Sequence, residues 1–483
     1  MTDYVSTMSI DLRLVLPELA LVAAASLILL VSFHRRANTF AVLLATVGLL
    51  AAMMLSMNQW DNPSAGFAGM VTVDNFGALF KILFCLGTLI TILIAFRFMQ
   101  ENGIERPEFY SLLLFSTMGM MVMANTTDLV VMFLGLEIMS IPLYVMAGFA
   151  RHLPQSNEAG AKYFIMGAFA TAFLLFGIAF VYGAAKTTDL RLLVANFSYI
   201  ASVSGTYLYA GAGLILIGFG FKVAAVPFHT WVPDVYQGAP TPVTAFFSVG
   251  PKAAGIAVLL RIFVFGFGPM PELTTAFWVL AVLTMTVGNI LAIRQDNVKR
   301  MLAYSSISHA GYILVALAVG GPDAISSAIF YLVGYAMFNL GAFAVLTVLE
   351  TRKGMSCEFS ELTGLGKSNP ALAVVLALFM FALSGFPPTV GFFGKLYIFA
   401  AAVKAGYIGL AVIGVLNSFV SVYYYLRVIK TSFFDDAPER TIPAVVTPAI
   451  FAALIITAIG TLAFGVFPQL LLNYTRFALF AAM

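Results

Sequence analysis

The stretch FGFKVAAVPFHTW, residues 219–231, places a lysine and a proline inside an otherwise apolar run. Pro227 follows Lys222 by five residues. A charge at the centre of a membrane helix costs roughly 2.5 to 3.5 kcal/mol on insertion scales, and a proline interrupts the helix that carries it. We therefore expect a broken helix, in which the break supplies the lysine with polar surroundings.

The composition of the whole chain indicates a polytopic membrane protein. Of its 483 residues, 61% are hydrophobic and 10% charged, and the mean hydropathy is +0.98. The net charge of +3 gives no argument for nucleic-acid binding. Cys85 and Cys357 lie far apart, without zinc or iron-sulfur spacing, so we expect no metal or redox cofactor in this chain. The first residues lack a cleavable signal peptide pattern, so the first apolar run is expected to be retained.

Apolar windows of about 20 residues, the length that crosses a bilayer, recur along the chain. They lie near 12–32, 38–57, 76–98, 108–125, 127–150, 159–184, 205–229, 240–265, 275–293, 300–319, 323–349, 370–402, 405–428 and 445–467. These windows predict an all-α protein with about fourteen transmembrane helices.

The distribution of basic residues between the predicted loops indicates the orientation, because Lys and Arg collect on the cytoplasmic side. Odd-numbered loops carry Arg35, Arg36, Arg97, Arg106, Arg151, Arg294, Lys299, Arg300, Arg352, Lys353, Lys367, Arg427, Lys430 and Arg440. Even-numbered loops and the termini carry Arg13, Lys186, Arg191, Arg261, Lys404 and Arg476. This asymmetry predicts that both termini lie on the periplasmic side.

A few ionisable residues fall within the apolar windows. A charge there has an unfavourable insertion free energy, so these residues are functional candidates. They are Lys81, Lys162, Lys222, Lys252, Lys395 and, as the one carboxylate near a window centre, Glu137. Lys81 and Lys162 are near window ends, where a lysine can extend to the membrane interface instead. His309 is either a packed, hydrogen-bonded residue or a proton relay near neutral pH.

A second interrupted span contains SGFPPTVGFFGK, residues 384–395. The window 370–402 would make about 50 Å of straight helix, too long for one span. Each interrupted span is the fourth of a five-span block, which predicts two inverted repeats of the transporter type. The predicted divisions are a three-helix segment at 1–107, a first repeat at 108–265, a second, inverted repeat at 275–428, and a C-terminal loop and last helix at 429–483.

Four segments resemble the antiporter-like membrane subunits of proton-pumping NADH:quinone oxidoreductase, respiratory complex I, and the related Mrp cation/proton antiporters. They are GLEIMSIPLYVM (135–146), FKVAAVPFHTWVPDVYQGAPTPVTAFFS (221–248), KRMLAYSSISHAGY (299–312) and SGFPPTVGFFGK (384–395). Within this family the chain is most similar to the subunit N branch. It has no room for the long lateral helix of subunit L, and Lys395 stands where subunit M has a glutamate.

The resemblance implies roles for particular residues. Glu137, Lys222, Lys252 and Lys395 match the family's principal proton-transfer positions, and Lys162 and His309 match secondary ones. Burial disfavours a charged ammonium, which allows a lysine to exchange protons near neutral pH. The resulting hypothesis is that a change in the Glu137–Lys222 distance passes a proton from Lys222 to Lys252, and that it leaves by way of Lys395.

The resemblance also implies the setting of this chain. It would be an inner-membrane subunit of a bacterial hetero-oligomer, in contact with other membrane-arm subunits and lipid, and an enzyme only as part of the whole. NADH, FMN, iron-sulfur clusters and quinone would be used by the complex, with no redox site in this chain. The alternatives are a subunit of an Mrp-type Na⁺/H⁺ antiporter, an idle structural subunit, which the intramembrane charges disfavour, and an organic-solute carrier.

Overall fold

The chain is almost entirely helical, as the sequence predicts. A computed structural model describes residues 11–33, 37–267, 270–350, 357–435 and 445–478. The α-helices are α1 (Leu16–Val31), α2 (Ala37–Asn58), α3 (Asn75–Glu101), α4 (Pro107–Ala124), α5 (Leu129–Ala147), α6 (Pro154–Ala185), α7 (Leu190–Ala195), α8 (Phe197–Val223), α9 (Val232–Gly238), α10 (Thr241–Leu259), α11 (Pro271–Ile293), α12 (Val298–Val319), α13 (Gly321–Glu350), α14 (Leu365–Ser368), α15 (Pro370–Ser384), α16 (Val390–Lys404), α17 (Ile408–Phe433), α18 (Pro448–Val466) and α19 (Gln469–Phe477).

Within the described residues, twelve helical segments are long and apolar enough to cross a membrane. Two of the predicted spans are not among them. The fourth is the 18-residue helix α4, and the twelfth is divided into α15 and α16, of 15 residues each. The number of fourteen spans, the inverted repeats and the four domain divisions therefore stay predictions.

Three helices form the buried centre of the described structure. The most hydrophobic 18 residues of α10 and its continuation are fully buried, and the corresponding shares in α13 and α12 are 94% and 89%. In α2, α6, α8 and α18 only 33% is buried. Apolar side chains exposed to this extent are suited to contact with lipid or with other subunits. The central helices α10 and α12 carry Lys252 and His309.

Both predicted breaks are present and share one backbone geometry. Helix α8 is followed by Ala224 and α15 by Gly385, each with a left-handed backbone (φ 64° and 83°). The next amide closes a hydrogen bond five residues back, 2.8 Å from Ala225 N to Gly220 O in the first break and 2.9 Å from Phe386 N to its partner in the second. A proline that cannot continue the helix then follows three residues after the left-handed residue.

The lysines lie on opposite sides of these breaks. Lys222 precedes its break by two residues, whereas Lys395 lies in the helix that follows its break. The prediction that both breaks supply polar partners for their lysine is therefore wrong for Lys222, whose partners come from another helix, as described below. Span seven also differs from its window at 205–229, because α8 begins at Phe197 and ends at Val223.

Short elements that the hydropathy windows did not predict lie outside the long helices. A two-stranded antiparallel hairpin pairs β1 (Ser64–Gly66) with β2 (Val71–Val73), and its turn contains Phe67 and Ala68 at positive φ. Helix α10 continues as a π-helix over Leu260–Gly266. Segments of three to seven residues are too short for an analysis based on 20-residue windows.

Two basic residues that the sequence placed near the surface are buried in ion pairs. Lys81 is fully buried, with Nζ 2.8 Å from the carboxylate of Glu18 and 2.9 Å from Oε1 of Gln59. Arg261 donates to both carboxylate oxygens of Asp74 at 2.9 and 2.7 Å, and both side chains are at most 1% exposed. The expectation that Lys81 extends to the interface is therefore wrong, because a carboxylate from α1 provides a closer partner.

Five basic residues used for the orientation fall outside the described residues. They are Arg35, Arg36, Arg352, Lys353 and Arg440. The side of the membrane on which the termini lie stays a prediction.

Candidate functional site

Lys222 is buried between α5, α6 and the end of α8. Its Nζ donates to Ser140 Oγ at 2.8 Å and to the hydroxyl of Tyr144 at 3.2 Å. The ammonium also lies 5.1 and 5.5 Å from the ring centroids of Tyr144 and Tyr163, in range for cation–π attraction. The lysine thus has hydroxyl and aromatic partners in place of a carboxylate.

Glu137 lies one helical turn before Ser140 on α5 and is only partly buried. Its Oε1 accepts a hydrogen bond of 3.0 Å from Thr171 Oγ1 of α6. Among the described residues Glu137 forms no ion pair with Lys222 within 4 Å. On α5 it is therefore Ser140, one turn after Glu137, that contacts the lysine.

Lys252 lies in the fully buried part of α10, with 2% of its surface exposed. Its Nζ donates to both the main-chain oxygen and the hydroxyl of Ser306 on α12. Tyr335 of α13 donates to the same hydroxyl at 2.9 Å, and its ring centroid is 5.5 Å from the ammonium. The three central helices thus meet at this lysine.

His309 follows Ser306 by three residues and continues the polar line along α12. Its Nδ1 is 2.6 Å from the hydroxyl of Tyr331, and its Nε2 is 3.0 Å from the hydroxyl of Tyr425. The imidazole ring also packs on Tyr335, at 5.2 Å between centroids. With both ring nitrogens bonded to hydroxyls, the imidazole can accept a proton at one nitrogen and release one at the other.

Lys395 uses the second break directly. Its Nζ donates to the main-chain oxygens of Leu383 and Ser384, at 3.2 and 2.9 Å, and to Ser418 Oγ at 2.8 Å. The last carbonyls of a helix have no partners within it, and here the end of α15 offers two of them to the lysine. The ammonium lies 4.9 Å from the ring centroid of Tyr312.

These groups form a line of side chains that are in contact in one half of the chain and separated in the other. A ladder of contacts links Lys252 to Lys395, through Ser306, Tyr335, His309, Tyr425, Tyr424, Asn289 and Tyr312. Its links from Tyr335 to His309, from Tyr425 to Tyr424 and from Tyr312 to Lys395 are ring contacts, and the others are hydrogen bonds. No hydrogen bond among the described residues joins the surroundings of Lys222 to those of Lys252. The helices nevertheless touch there, since a Cβ atom on Gly255 would lie 2.8 Å from Val223.

Three of the predicted lysines share an electrostatic feature. Within the described part of the chain, Lys222, Lys252 and Lys395 are at most 5% exposed and have no ion-pair partner. A buried ammonium without a counter-charge is costly.

Lys162 is partly exposed, with 35% of its side chain accessible. It forms an ion pair with Asp234 of α9, which also accepts from Arg300 at 2.6 Å. Through Asp234, Lys162 thus links α9 to α6, and Arg300 links α9 to α12. Lys162 lies beside the Lys222 surroundings, since its neighbour Tyr163 stacks on Trp231 at 4.4 Å between centroids.

The sequence reasoning missed the hydroxyl and amide groups that connect the lysines. They are Ser140, Tyr144, Thr171, Asn289, Ser306, Tyr312, Tyr331, Tyr335, Ser418, Tyr424 and Tyr425. Serine, threonine and tyrosine are common in membrane helices, so only the repeated serines of SSISH, at 305–309, gave a usable signal. No group of three or more His, Cys, Asp or Glu residues suited to a metal occurs in the described residues.

The comparison with protein families matches the region that contains this arrangement. The NADH:quinone oxidoreductase/Mrp antiporter family of transmembrane proteins matches residues 126–421. NADH-quinone oxidoreductase subunit N of Trichlorobacter lovleyi is 45% identical over 471 residues, which are 97% of each chain. The chain belongs to the NADH-quinone oxidoreductase subunit N family. The resemblance inferred from the four sequence segments is confirmed.

Solved structures agree with membership of the subunit N family. A chain of respiratory complex I from Thermus thermophilus, with bound aureothin, has a TM-score of 0.81 and 35% identity, covering 95% of this chain and 99% of that one. A chain of the Mrp complex from Dietzia has a TM-score of 0.83 and 25% identity, with coverage of 97% and 96%. Both likenesses extend over nearly the whole fold, and the subunit N relatives are more similar in sequence.

Proposed function

We propose that this chain is a proton-translocating membrane-arm subunit of NADH:quinone oxidoreductase. Glu137, Lys222, Lys252 and Lys395 carry the proton transfer, and Lys162 and His309 have secondary roles. The observation that supports this most strongly is the set of three buried lysines without ion-pair partners, of which two are linked by hydroxyl and imidazole groups. The likeness to subunit N relatives supplies the partners, which are other membrane-arm subunits.

In this proposal the distance between Glu137 and Lys222 determines how strongly the carboxylate holds the proton on the lysine. If Glu137 approaches Lys222 to about 7 Å, the attraction between the two charges at an effective dielectric constant near 20 is roughly 2.4 kcal/mol. Moving one charge against 100 mV costs about 2.3 kcal/mol, so opening this pair is of the right size to release a proton. The proton then moves to Lys252, along the His309 ladder and to Lys395.

Energy for this transport comes from chemistry elsewhere in the complex. Quinone reduction, FMN and the iron-sulfur clusters belong to other subunits, and this chain binds none of them. The multi-pass chain lies in the bacterial inner membrane, with both termini on the periplasmic side, as the basic residues predict.

The second candidate function is that of an Mrp-type Na⁺/H⁺ antiporter subunit. The likeness to the Dietzia Mrp chain over nearly its full length supports it. The subunit N function is preferred because relatives with that name are 45% identical over 97% of the chain, compared with 25% for the Mrp chain.

The test is NADH-driven proton pumping in membrane vesicles that carry Lys222→Ala, with assembly of the complex checked on the same membranes. We expect normal assembly with loss of pumping. The matched control is Lys430→Ala, whose side chain is 71% exposed and pairs with Asp435. Normal assembly with unchanged pumping per NADH would make Lys222 structural and contradict the proposed path.

A further inference from the structure

A cavity of about 580 Å³ opens at the end of the helices that is predicted to be cytoplasmic. Ionisable side chains from several elements line it, namely His152, Glu158, Asp234, Lys299, Arg300 and Glu350. None of these belongs to the Lys222, Lys252 or Lys395 surroundings. A water-accessible space lined by titratable groups is suited to proton exchange, so the question is whether it communicates with the buried lysines.

Glu350 and Lys299 form an ion pair at the wall of this cavity. The Nζ of Lys299 is 3.4 Å from Glu350 Oε1, and only 4% of the lysine side chain and 17% of the glutamate side chain are exposed. Glu350 Oε2 accepts a hydrogen bond from Thr241, the first residue of α10. Lys299, counted among the loop residues in the sequence, also donates to the main-chain oxygen of Ala239 at 2.9 Å.

From Thr241 a stripe of polar residues follows one face of α10 to Lys252. Thr241, Thr244, Ser248 and Lys252 are spaced by three, four and four residues, which places them on the same side of a helix. Each is at most 2% exposed. The eleven residues from Thr241 to Lys252 correspond to about 16 Å of helix. The stripe therefore spans the distance between the cavity and Lys252.

Helix α13 faces this stripe with polar side chains of its own. Glu350 contacts Thr241 at the cavity end, Asn339 Nδ2 donates to Ser248 at 2.5 Å in the middle, and Tyr335 lies beside Lys252 at the inner end. Glu350 and Asn339 are eleven residues apart and so share a helix face. The seam between α10 and α13 therefore carries a polar contact at each of three levels.

The middle contact has an unused hydrogen-bonding group. The Oδ1 atom of Asn339 is buried, with 1% of the residue exposed, and has no hydrogen-bond partner. Buried polar atoms are nearly always satisfied by protein or ordered water. This oxygen therefore marks a position for water between Glu350 and Lys252, closer to the lysine, because Ser248 lies seven residues from Thr241 and four from Lys252.

We propose that protons reach Lys252 from this cavity along the seam between α10 and α13, with Glu350 as the loading group. Its carboxylate takes a proton from cavity water and forms an O–H bond. That bond breaks as the proton passes to water at Asn339 and Ser248, and an N–H bond forms on the neutral amine of Lys252. This inference rests on the proposed function and adds a direct uptake route to Lys252, beside the transfer from Lys222.

The decisive variants separate proton loading from charge balance. Glu350→Gln leaves Lys299 buried without its carboxylate, so an isolated loss of pumping has two explanations. The double variant Glu350→Gln/Lys299→Met removes both charges. If Glu350 only neutralises Lys299, the double variant pumps normally. If Glu350 loads protons, the double variant stays impaired, whereas the single variant Glu350→Asp, which keeps a carboxylate, pumps.

We expect both glutamine variants and Asn339→Leu to lower NADH-driven pumping at least fivefold in assembled complex. Glu108→Gln, at an exposed carboxylate that does not line the cavity, is the matched control and should pump normally. Wild-type pumping by the double variant would refute the proposed uptake route along the seam between α10 and α13. Lys252→Met is measured alongside: if it pumps normally, the proposed function itself fails, whereas its loss combined with a normal double variant refutes the uptake path alone.

Discussion

Replacing Gly385 with alanine should disable Lys395 without removing it. Gly385 directly follows α15 and has φ 83°. A Cβ atom at this position would lie 3.0 Å from Cδ and 3.3 Å from Nζ of Lys395. Contacts this short require the lysine side chain to move by a few tenths of an ångström. Its longest hydrogen bond, 3.2 Å to Leu383 O, would then be lost or much weakened.

The size of the effect follows from two separate costs. An alanine in the left-handed region costs about 1 to 2 kcal/mol of stability, whatever its neighbours. A hydrogen bond to a charged group contributes about 1.5 to 3 kcal/mol. Taking the lower figure, the protonated state of Lys395 loses about 1.5 kcal/mol, which corresponds to roughly a tenfold smaller population of the state that hands on the proton.

Gly406 provides the matched control. It follows α16 with φ 87°, and a Cβ atom there would have no neighbour within 4 Å. Gly406→Ala therefore carries the backbone cost alone. In the assay, NADH-driven pumping in vesicles normalised to assembled complex, Gly385→Ala should pump roughly tenfold more slowly than Gly406→Ala. Equal pumping by the two variants would show that the hydrogen bonds of Lys395 at the break do not limit transport.

Three further outcomes are expected. Asp74→Asn breaks the buried bidentate ion pair with Arg261 and should cost about 3 to 5 kcal/mol. Asp323→Asn breaks the ion pair with Lys404, whose side chains are 63% and 76% exposed, and should cost under about 1 kcal/mol. Similar thermal unfolding of the two solubilised complexes would contradict this difference. His309→Phe preserves the ring but removes both nitrogens, so pumping should fall at least tenfold, by analogy with lost acid–base groups, and unchanged pumping would exclude a relay. Lys162→Gln should reduce pumping less than Lys222→Ala, and an equal loss would place Lys162 on the main path.

The helix breaks illustrate how far local sequence reasoning extends. Pro227 and Pro388 act on the few residues before them, so the interruption of the helix can be predicted without knowledge of the fold. The same reasoning misjudged Lys222, because its hydroxyl partners on α5 precede it by 82 and 78 residues. A break frees carbonyls, but which side chain reaches them depends on how neighbouring helices pack.

Burial of charge shows the same limit. Lys81 and Arg261 are close to window ends, where extension to the interface and burial in an ion pair give similar hydropathy profiles. Their partners, Glu18 and Asp74, lie on other segments of the chain. Only the approach of those segments decides between the two outcomes.

The sequence by itself determined the membrane class, the two interrupted helices, the expensive intramembrane lysines and the family, because hydropathy, proline and short motifs act over 30 residues or fewer. The tertiary structure alone decided the partners of those lysines and the polar seam from Thr241 to Lys252. The hydrogen bond from Thr241 to Glu350 joins residues 109 positions apart. Contacts of that range arise from the packing of α10 against α13, which no local pattern specifies.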